Sequence, residues 1–283
     1  MHRAVLALLA LIFFGSPASA QFAERRLETI RSTKVVKVAY RADSRPFSFI
    51  DAKGQPVGYT IDLCRLVVGS LERQLGEQLS IEWVPAETRT RFMVVASGTA
   101  DMECGSSTIT LGRMKEVDFS SIIFVDSTGV LVRASAGIHS FNAMTGRKIA
   151  VIAGTSNERA IVEEIKRRQL SIAVIQVKDR DSGIAALRKG EVDGFASDKL
   201  LLLGAGLDGS QGLTILYDDL SFEPYAIVLP RGDWAFRLAV NTALAEIYRR
   251  GDNLTVFNTW FGGMGIKVGL LLGAAFVLGS LPE

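Results

Sequence analysis

The run ECGSSTITLGR, Glu103 to Arg113, decides how the rest of the chain is read. It crowds Gly105, Ser106, Ser107, Thr108 and Thr110 into six positions and sets Arg113 five residues after Thr108. Small residues let a backbone come close to a ligand, hydroxyls and free N–H groups donate, and a guanidinium grips a carboxylate through two parallel N–H bonds. Two readings follow. The run is a grip for the carboxylate of a small molecule, or it is a Ser/Thr-rich turn that caps a helix and leaves Arg113 in water. The flanking sequence separates them.

Upstream, VVKVAY (Val35 to Tyr40) is short and β-branched, hence a strand. It runs into RADSRPFSF (Arg41 to Phe49), a loop in which Pro46 cannot donate to a ladder. After a turn at Asp51 to Gly54, a helix is predicted from an N-cap at Thr60, with Leu63, Leu66, Val67 and Leu71 at helical spacing through Leu75. LSIEWV (Leu79 to Val84) is the next strand, and Arg89 to Ser97 a second helix stopped by Gly98. A further strand then leads into the motif. Strand–helix–strand–helix–strand predicts an open α/β sheet. Its ligands sit at the carboxyl ends of the strands, where Glu103 to Arg113 falls.

Downstream the pattern repeats. RKIAVIAG (Arg147 to Gly154) reads as a strand, followed by a helix entered through Gly154-Thr155-Ser156. IAVIQV (Ile172 to Val177) is a strand, SGIAALRKGEV a helix, and DGFASD (Asp193 to Asp198) a short strand end. An extended run, Ser121 to Ala134, follows the motif; two long extended segments, Ser127 to Ala134 and Phe222 to Arg231, are flanked by the repeats, and a last helix spans Trp234 to Arg250. Two α/β units joined by two crossings predict two lobes with a hinge and a ligand cleft between them. The expected boundaries are 34–128 with 224–262 for the first lobe and 132–222 for the second.

The chain has 283 residues, 48% hydrophobic and 22% charged, with 32 basic against 30 acidic side chains. That near-balance argues against a nucleic-acid surface. Residues 1–20 carry a basic start, an apolar core (Ala4 to Phe14) and the site Ala18-Ser19-Ala20, the pattern of a cleaved secretory signal. Cys64 and Cys104 could pair in an oxidising compartment, although neither their spacing nor a nearby histidine suggests a metal site. Beyond His2 only His139 remains, so histidine-dependent hydrolysis and zinc chemistry are not expected, nor is any cofactor. The tail, 263–283, holds an apolar run, Val268 to Leu281. Its 14 residues reach roughly 21 Å as a helix, short of a ~30 Å hydrocarbon core. A docked terminal helix and a membrane-associated segment both remain open.

Taken together, PFSFIDAKGQPVGYTIDLCRLV, RFMVVASGTADMECGSSTITLGRMKEVDFSSIIF, KIAVIAGTSNE and ALRKGEVDGFASD resemble, in order, the blocks of the family 3 extracellular solute-binding proteins, the amino-acid receptors of ABC importers. The resemblance covers Val35 to Phe261. YRADSRPFSF and ECGSST place it nearest the glutamate/aspartate-binding subgroup. It implies a type II periplasmic-binding-protein-like α/β fold of two lobes, a monomer delivering an amino acid to a membrane permease, and no catalysis. By position, Arg113 matches the arginine that clamps the ligand α-carboxylate, aided by Thr108 and Ser106. Thr155 and Ser156 match the second-lobe loop donating to the same group, and Asp198 the acceptor of the α-ammonium. Arg41, Arg91 and Thr88 match positions that reach the ligand side chain. Arg180 stands where that subgroup can carry a histidine. Arg89 takes the role of Arg91 if the register slips by two.

The charge pattern agrees. Arg113 and Asp198 satisfy a zwitterion, leaving Arg41, Arg91 and Arg180 for a side-chain carboxylate. Phe47, Phe49 and Tyr59 are expected in the core rather than the cleft. In that subgroup the cysteine of the ECG run can pair with one in the return segment. Here Phe222 to Arg231 has none, so two buried thiols are expected. Two rival functions stay in view. One is a receptor module for a membrane partner. The other is a periplasmic enzyme similar to cyclohexadienyl dehydratases, for which Glu103, Glu158 or Glu223 would have to serve.

Overall fold

The computed structural model describes residues 25–206 and 212–282; the signal-like segment 1–20 lies outside them. In chain order the helices are α1 (Arg25–Thr33), α2 (Tyr59–Leu75), α3 (Arg91–Ala96), α4 (Ser156–Arg168), α5 (Arg180–Lys189), α6 (Lys199–Gly206), α7 (Trp234–Arg250), α8 (Asp252–Phe261) and α9 (Leu270–Gly279). The strands are β1 (Val35–Arg41), β2 (Asp43–Ser44), β3 (Ser48–Ile50), β4 (Pro56–Val57), β5 (Ser80–Ala86), β6 (Met102–Cys104) and β7 (Val117–Asp126). They continue as β8 (Thr128–Arg133), β9 (Lys148–Ile152), β10 (Ala173–Val177), β11 (Gly194–Asp198), β12 (Leu213–Ile215) and β13 (Glu223–Pro230).

These strands build two five-stranded sheets, ordered β5-β1-β6-β13-β7 and β10-β9-β11-β8-β12. In each, the strands that alternate with helices pair in parallel and the returning strands pair antiparallel. The first sheet is covered on one face by α2, α7 and α8. Phe47, Tyr59, Phe124, Tyr225, Phe257 and Phe261 form a continuous aromatic core there. Phe47 and Tyr59 are thus core residues, and Phe49 packs edge-on against Trp260. A separate cluster of Val95, Val117, Phe119, Ala226 and Val228 lies between α3 and the first sheet, and the second sheet is covered on both faces, by clusters centred on Ile161 and on Leu187 with Phe195. Burial on both faces explains the near-continuous apolar runs of the strands, IAVI among them.

The segment Ser121 to Ala134 is not one strand. β7 belongs to the first sheet and β8 to the second, so the chain changes lobe across Ser127 alone. It returns between β12 and β13, where Leu220 N–H donates to the Thr128 carbonyl (3.0 Å) and Thr128 N–H to Ser221 Oγ (3.0 Å). The two crossings therefore lie side by side.

Two local expectations are corrected, and one further helix is found ahead of β1. Thr60 does not cap α2; the cap is Gly58, at φ 135°, and its neighbour Phe47 passes so close that a Cβ there would sit 2.2 Å from the Phe47 carbonyl oxygen. Only glycine meets both demands. The lead-in Arg25–Thr33 is a helix, held by Ile30 in the core and by an Arg26–Asp101 ion pair of 2.6 Å. Finally, Cys64 and Cys104 are not free thiols but a disulfide. Cys64 lies on the buried face of α2 with Leu63, Val67 and Leu71, directly above the end of β6. Their Cα atoms are 6.4 Å apart, within bridging range.

The tail is a docked helix. α9 packs against β7 and α7 through Leu272 and Phe276, whose ring lies 5.1 Å from that of Tyr248. None of the described helices is long and apolar enough to cross a membrane, so the membrane-associated reading of the tail is not supported.

Candidate functional site

Parallel strands deliver their carboxyl ends to a common edge, and here both sheets do so toward each other. β1 ends at Arg41 and β6 runs into Gly105-Ser106-Ser107-Thr108. β9 ends at Ile152 before the Gly154–Ser156 loop, and β11 ends at Asp198. Between them is a cavity of about 20 Å³. From the first lobe Arg41, Ser44, Thr88, Arg91, Ser106 and Thr108 line it. From the second come Ile152, Thr155, Ser156, Asn157, Arg180, Ser197, Asp198 and Leu201. Nine of the ten residues singled out from the sequence therefore share one wall-to-wall space. Arg113 does not line it. The Arg113 guanidinium lies 4.8 Å above the Phe92 ring, and its Nη1 donates to the Thr108 carbonyl (2.7 Å). Arg89 is exposed while Arg91 is buried, which fixes the register left open by the sequence.

The arginines are held by short, local contacts. Thr88 places two of them, since its hydroxyl accepts from Arg41 Nη2 and its carbonyl from Arg91 Nη1 (2.9 Å). Arg41 Nη2 also meets Asp43 Oδ1 at 2.6 Å. Arg180, the first residue of α5, reaches across the cleft to donate to the Asp43 carbonyl. A second cross-lobe bond joins Ser156 Oγ to Thr108 Oγ1 at 3.3 Å. Thr155 caps α4 by accepting from Glu158 N–H (3.2 Å), and the Glu158 carboxylate accepts from Gly154 N–H (2.7 Å). This reciprocal cap fixes the loop and turns the N-terminus of α4 toward the cavity.

Burial dominates the electrostatics. It pulls the Arg91 pKa down to about 9, helped by Arg113 and Arg41. It likewise lowers Arg113 and Arg180. Asp198 is pushed up to about 6 by burial and by the nearby Glu223 carboxylate. Asp126, beside the hinge crossing, rises to about 8 through burial and the Asp198 charge. For Asp43 burial acts upward, but Arg41 and Arg180 outweigh it and hold the carboxyl below its usual range. The Nε–H groups of Arg41, Arg91 and Arg180 are buried without an acceptor among the described residues.

The sequence did not single out Ser44, Asn157, Ser197 or Asp43. Asn157 follows Ser156 directly and its amide donates to Thr128 Oγ1 (2.8 Å) and Asp198 Oδ1 (3.3 Å). Nothing in its type or spacing marks it apart from the helix it begins. Asp43 was readable only as one charge in a loop. The proposed catalytic carboxylates are otherwise engaged: Glu158 in the cap, Glu103 with Ser107 (2.8 Å), and Glu223 with Thr108 (2.6 Å), Ser221 (2.6 Å) and Thr128 (3.2 Å).

The two raised aspartates carry a pH prediction. Folding lifts Asp126 to about 8 and Asp198 to about 6, from an unfolded-chain value near 3.9. Between about pH 4 and 8 the folded protein binds more protons than the unfolded chain, so stability falls as pH rises through this window. The ligand-free protein is expected to melt several degrees higher at pH 5.5 than at pH 8 by scanning calorimetry. A melting temperature that rose steadily to pH 8 would contradict these assignments.

Residues 36–263 match the family model described as bacterial extracellular solute-binding proteins, family 3. An L-glutamate/L-aspartate-binding protein of Pseudomonas aeruginosa is 30% identical over 251 residues, covering 87% of this chain and 83% of the relative. A glutamate/aspartate import solute-binding protein of Salmonella typhimurium is 28% identical over 250 residues, covering 87% and 82%. Among solved structures, the ancestral amino acid-binding protein AncCDT-1, a precursor of cyclohexadienyl dehydratase, superposes with a TM-score of 0.71 at 24% identity. The match covers 83% of this chain and 99% of that one, a likeness of fold alone.

Proposed function

Because this chain belongs to the family 3 bacterial extracellular solute-binding proteins, whose model spans most of it, we propose that it binds an acidic amino acid, glutamate or aspartate, between its lobes. It then presents the ligand to the permease of an ABC importer. One observation carries the ligand class: three buried arginines, Arg41, Arg91 and Arg180, converge on a cavity whose only lining carboxylate among the described residues is Asp198. With Arg113 assigned to the α-carboxylate and Asp198 to the α-ammonium, those three cations outnumber what a neutral side chain needs. Asp43 offsets part of this buried charge at Arg41 and Arg180, but each of the three keeps a buried Nε–H without an acceptor among the described residues. The glutamate/aspartate-binding relatives point the same way.

Residues 34–128 with 224–262 form one moving lobe and 132–222 the other. A space of about 20 Å³ holds roughly one water. An amino acid therefore needs the lobes further apart than here, with motion about Ser127 and the return near Ser221. Contacts from both lobes to one ligand, Arg113 and Thr108 against Thr155, Ser156 and Asp198, give binding its preference for the closed form. Residues 1–20 act as an export signal, the mature monomer works in the periplasm, and no reaction is catalysed. The glutamate/aspartate-binding relatives and the engagement of Glu103, Glu158 and Glu223 in structural contacts support binding over catalysis.

The test is selective. Arg91→Ala should weaken glutamate and aspartate by about 30-fold or more, the scale of truncating one partner of a buried charged pair. Glutamine should lose only a few-fold. Equal losses for acid and amide in calorimetric titrations would remove Arg91 from side-chain recognition.

A further inference from the structure

We propose that Glu103 is a specificity-determining residue, a buried carboxylate among the guanidiniums of the cleft that limits how strongly the site prefers an acidic side chain over its amide. This rests on the reading of the cleft as an amino-acid site and concerns what that site discriminates.

Glu103 occupies the middle of β6, paired with Ala39 of β1 and Val228 of β13, and is completely buried. Its strand neighbours Met102 and Cys104 are apolar, as a central strand demands. A carboxylate there is costly unless something compensates it. Two features do so. Ser107 Oγ donates to Oε2 at 2.8 Å, and the charges of Arg91, Arg41 and Arg113 all act on the group. Oε1 has no hydrogen-bond partner among the described residues.

The fit is specific to this sequence. A Cβ at position 105 would lie 2.1 Å from Glu103 Oε1 and 3.0 Å from Arg41 Cγ. The carboxylate is therefore folded under its own loop and against the stem of Arg41, and Gly105 leaves the room. In the run E-C-G-S-S, the glutamate, the glycine and Ser107 thus form one arrangement beneath the ligand-holding residues Ser106 and Thr108. Burial pushes the Glu103 carboxyl upward, while Arg91, Ser107 and Arg41 pull the other way.

An incoming side-chain carboxylate competes with Glu103 for Arg41 and Arg91, whereas an amide side chain does not. Negative charge at 103 therefore penalises the acid relative to the amide. Glu103→Gln keeps the shape and an acceptor for Ser107 but removes the charge. The ratio of dissociation constants, glutamine over glutamate and asparagine over aspartate, should rise about tenfold. That is the order expected for one unit charge within ~10 Å at an effective dielectric of ~20. Ser107→Ala removes the donor that favours the ionised form and should move the ratio the same way by a smaller factor, so it carries the test if the first variant does not fold. A purely structural role would weaken acid and amide alike. An unchanged or smaller ratio in a folded variant overturns the proposal. A wild type that prefers the amide contradicts the acidic-ligand reading instead, and the sign of the change on substitution still decides the role of Glu103.

Discussion

Replacing Arg113 by alanine is expected to weaken binding of every amino acid, acidic or neutral, more than any other single change in the cleft. Its guanidinium is held over Phe92 and anchored to the Thr108 carbonyl at 2.7 Å, beside rather than in the lining of the cavity, so in the proposed role it would act on the ligand head together with the Ser106–Thr108 loop. Truncating one member of a buried charge pair costs about 2–5 kcal/mol, or roughly 30- to several-thousand-fold in affinity. Arg113 should sit at the upper end because the α-carboxylate is common to all ligands. Arg113→Lys should recover little, since a point charge cannot reproduce the two-pronged geometry. Calorimetric titration distinguishes it from Arg91→Ala by the loss of glutamine together with glutamate. Wild-type affinity in Arg113→Ala would place the carboxylate grip elsewhere.

The second large effect concerns the Cys64–Cys104 bond. It joins residues 40 positions apart and fastens α2 to the end of β6, one residue from Glu103 and Gly105. In the chain-entropy treatment a loop of this length contributes about 4 kcal/mol by restricting the unfolded chain. At the usual sensitivity for a domain of this size, Cys64→Ala with Cys104→Ala should lower the melting temperature by about 10 °C. An unchanged midpoint in scanning calorimetry or urea unfolding would show that α2 is held by its apolar face alone.

Much of the fold was readable because its signals are local. The β-branched run at Val35, the helical spacing of Leu63, Val67 and Leu71, and the helix Trp234–Arg250 each report a single element and its buried face. What escaped depends on contacts distant in sequence. The cap of α2 is set by the closeness of Phe47 to Gly58. The lobe boundary near Ser127 was readable, but that β8 joins the second sheet, beside β11 and β12, appears only from the pairing. A Cys64–Cys104 bond was one of two readings open to the sequence, because pairing depends on α2 lying above the end of β6. The tail shows the limit of composition: α9 is apolar all round, and only its packing on Tyr248 shows which side is covered.

The same division holds at the site. Arg41, Arg91, Arg180 and Asp198 were singled out through the resemblance and their charge, and the fold brings them to one cavity. Residues whose importance comes from position were not. Asp43 gains weight only by standing between Arg41 and Arg180, and Glu103 only by being buried beside three cations. A single sequence records the charge of such residues but not the company they keep.

The most direct test is a calorimetric titration of the purified protein with glutamate, aspartate, glutamine, arginine and a neutral aliphatic amino acid under one set of conditions. Glutamate or aspartate should bind most tightly, with one ligand per chain. Tighter binding of glutamine or arginine than of either acid would contradict an acidic-amino-acid receptor built on Arg41, Arg91 and Arg180.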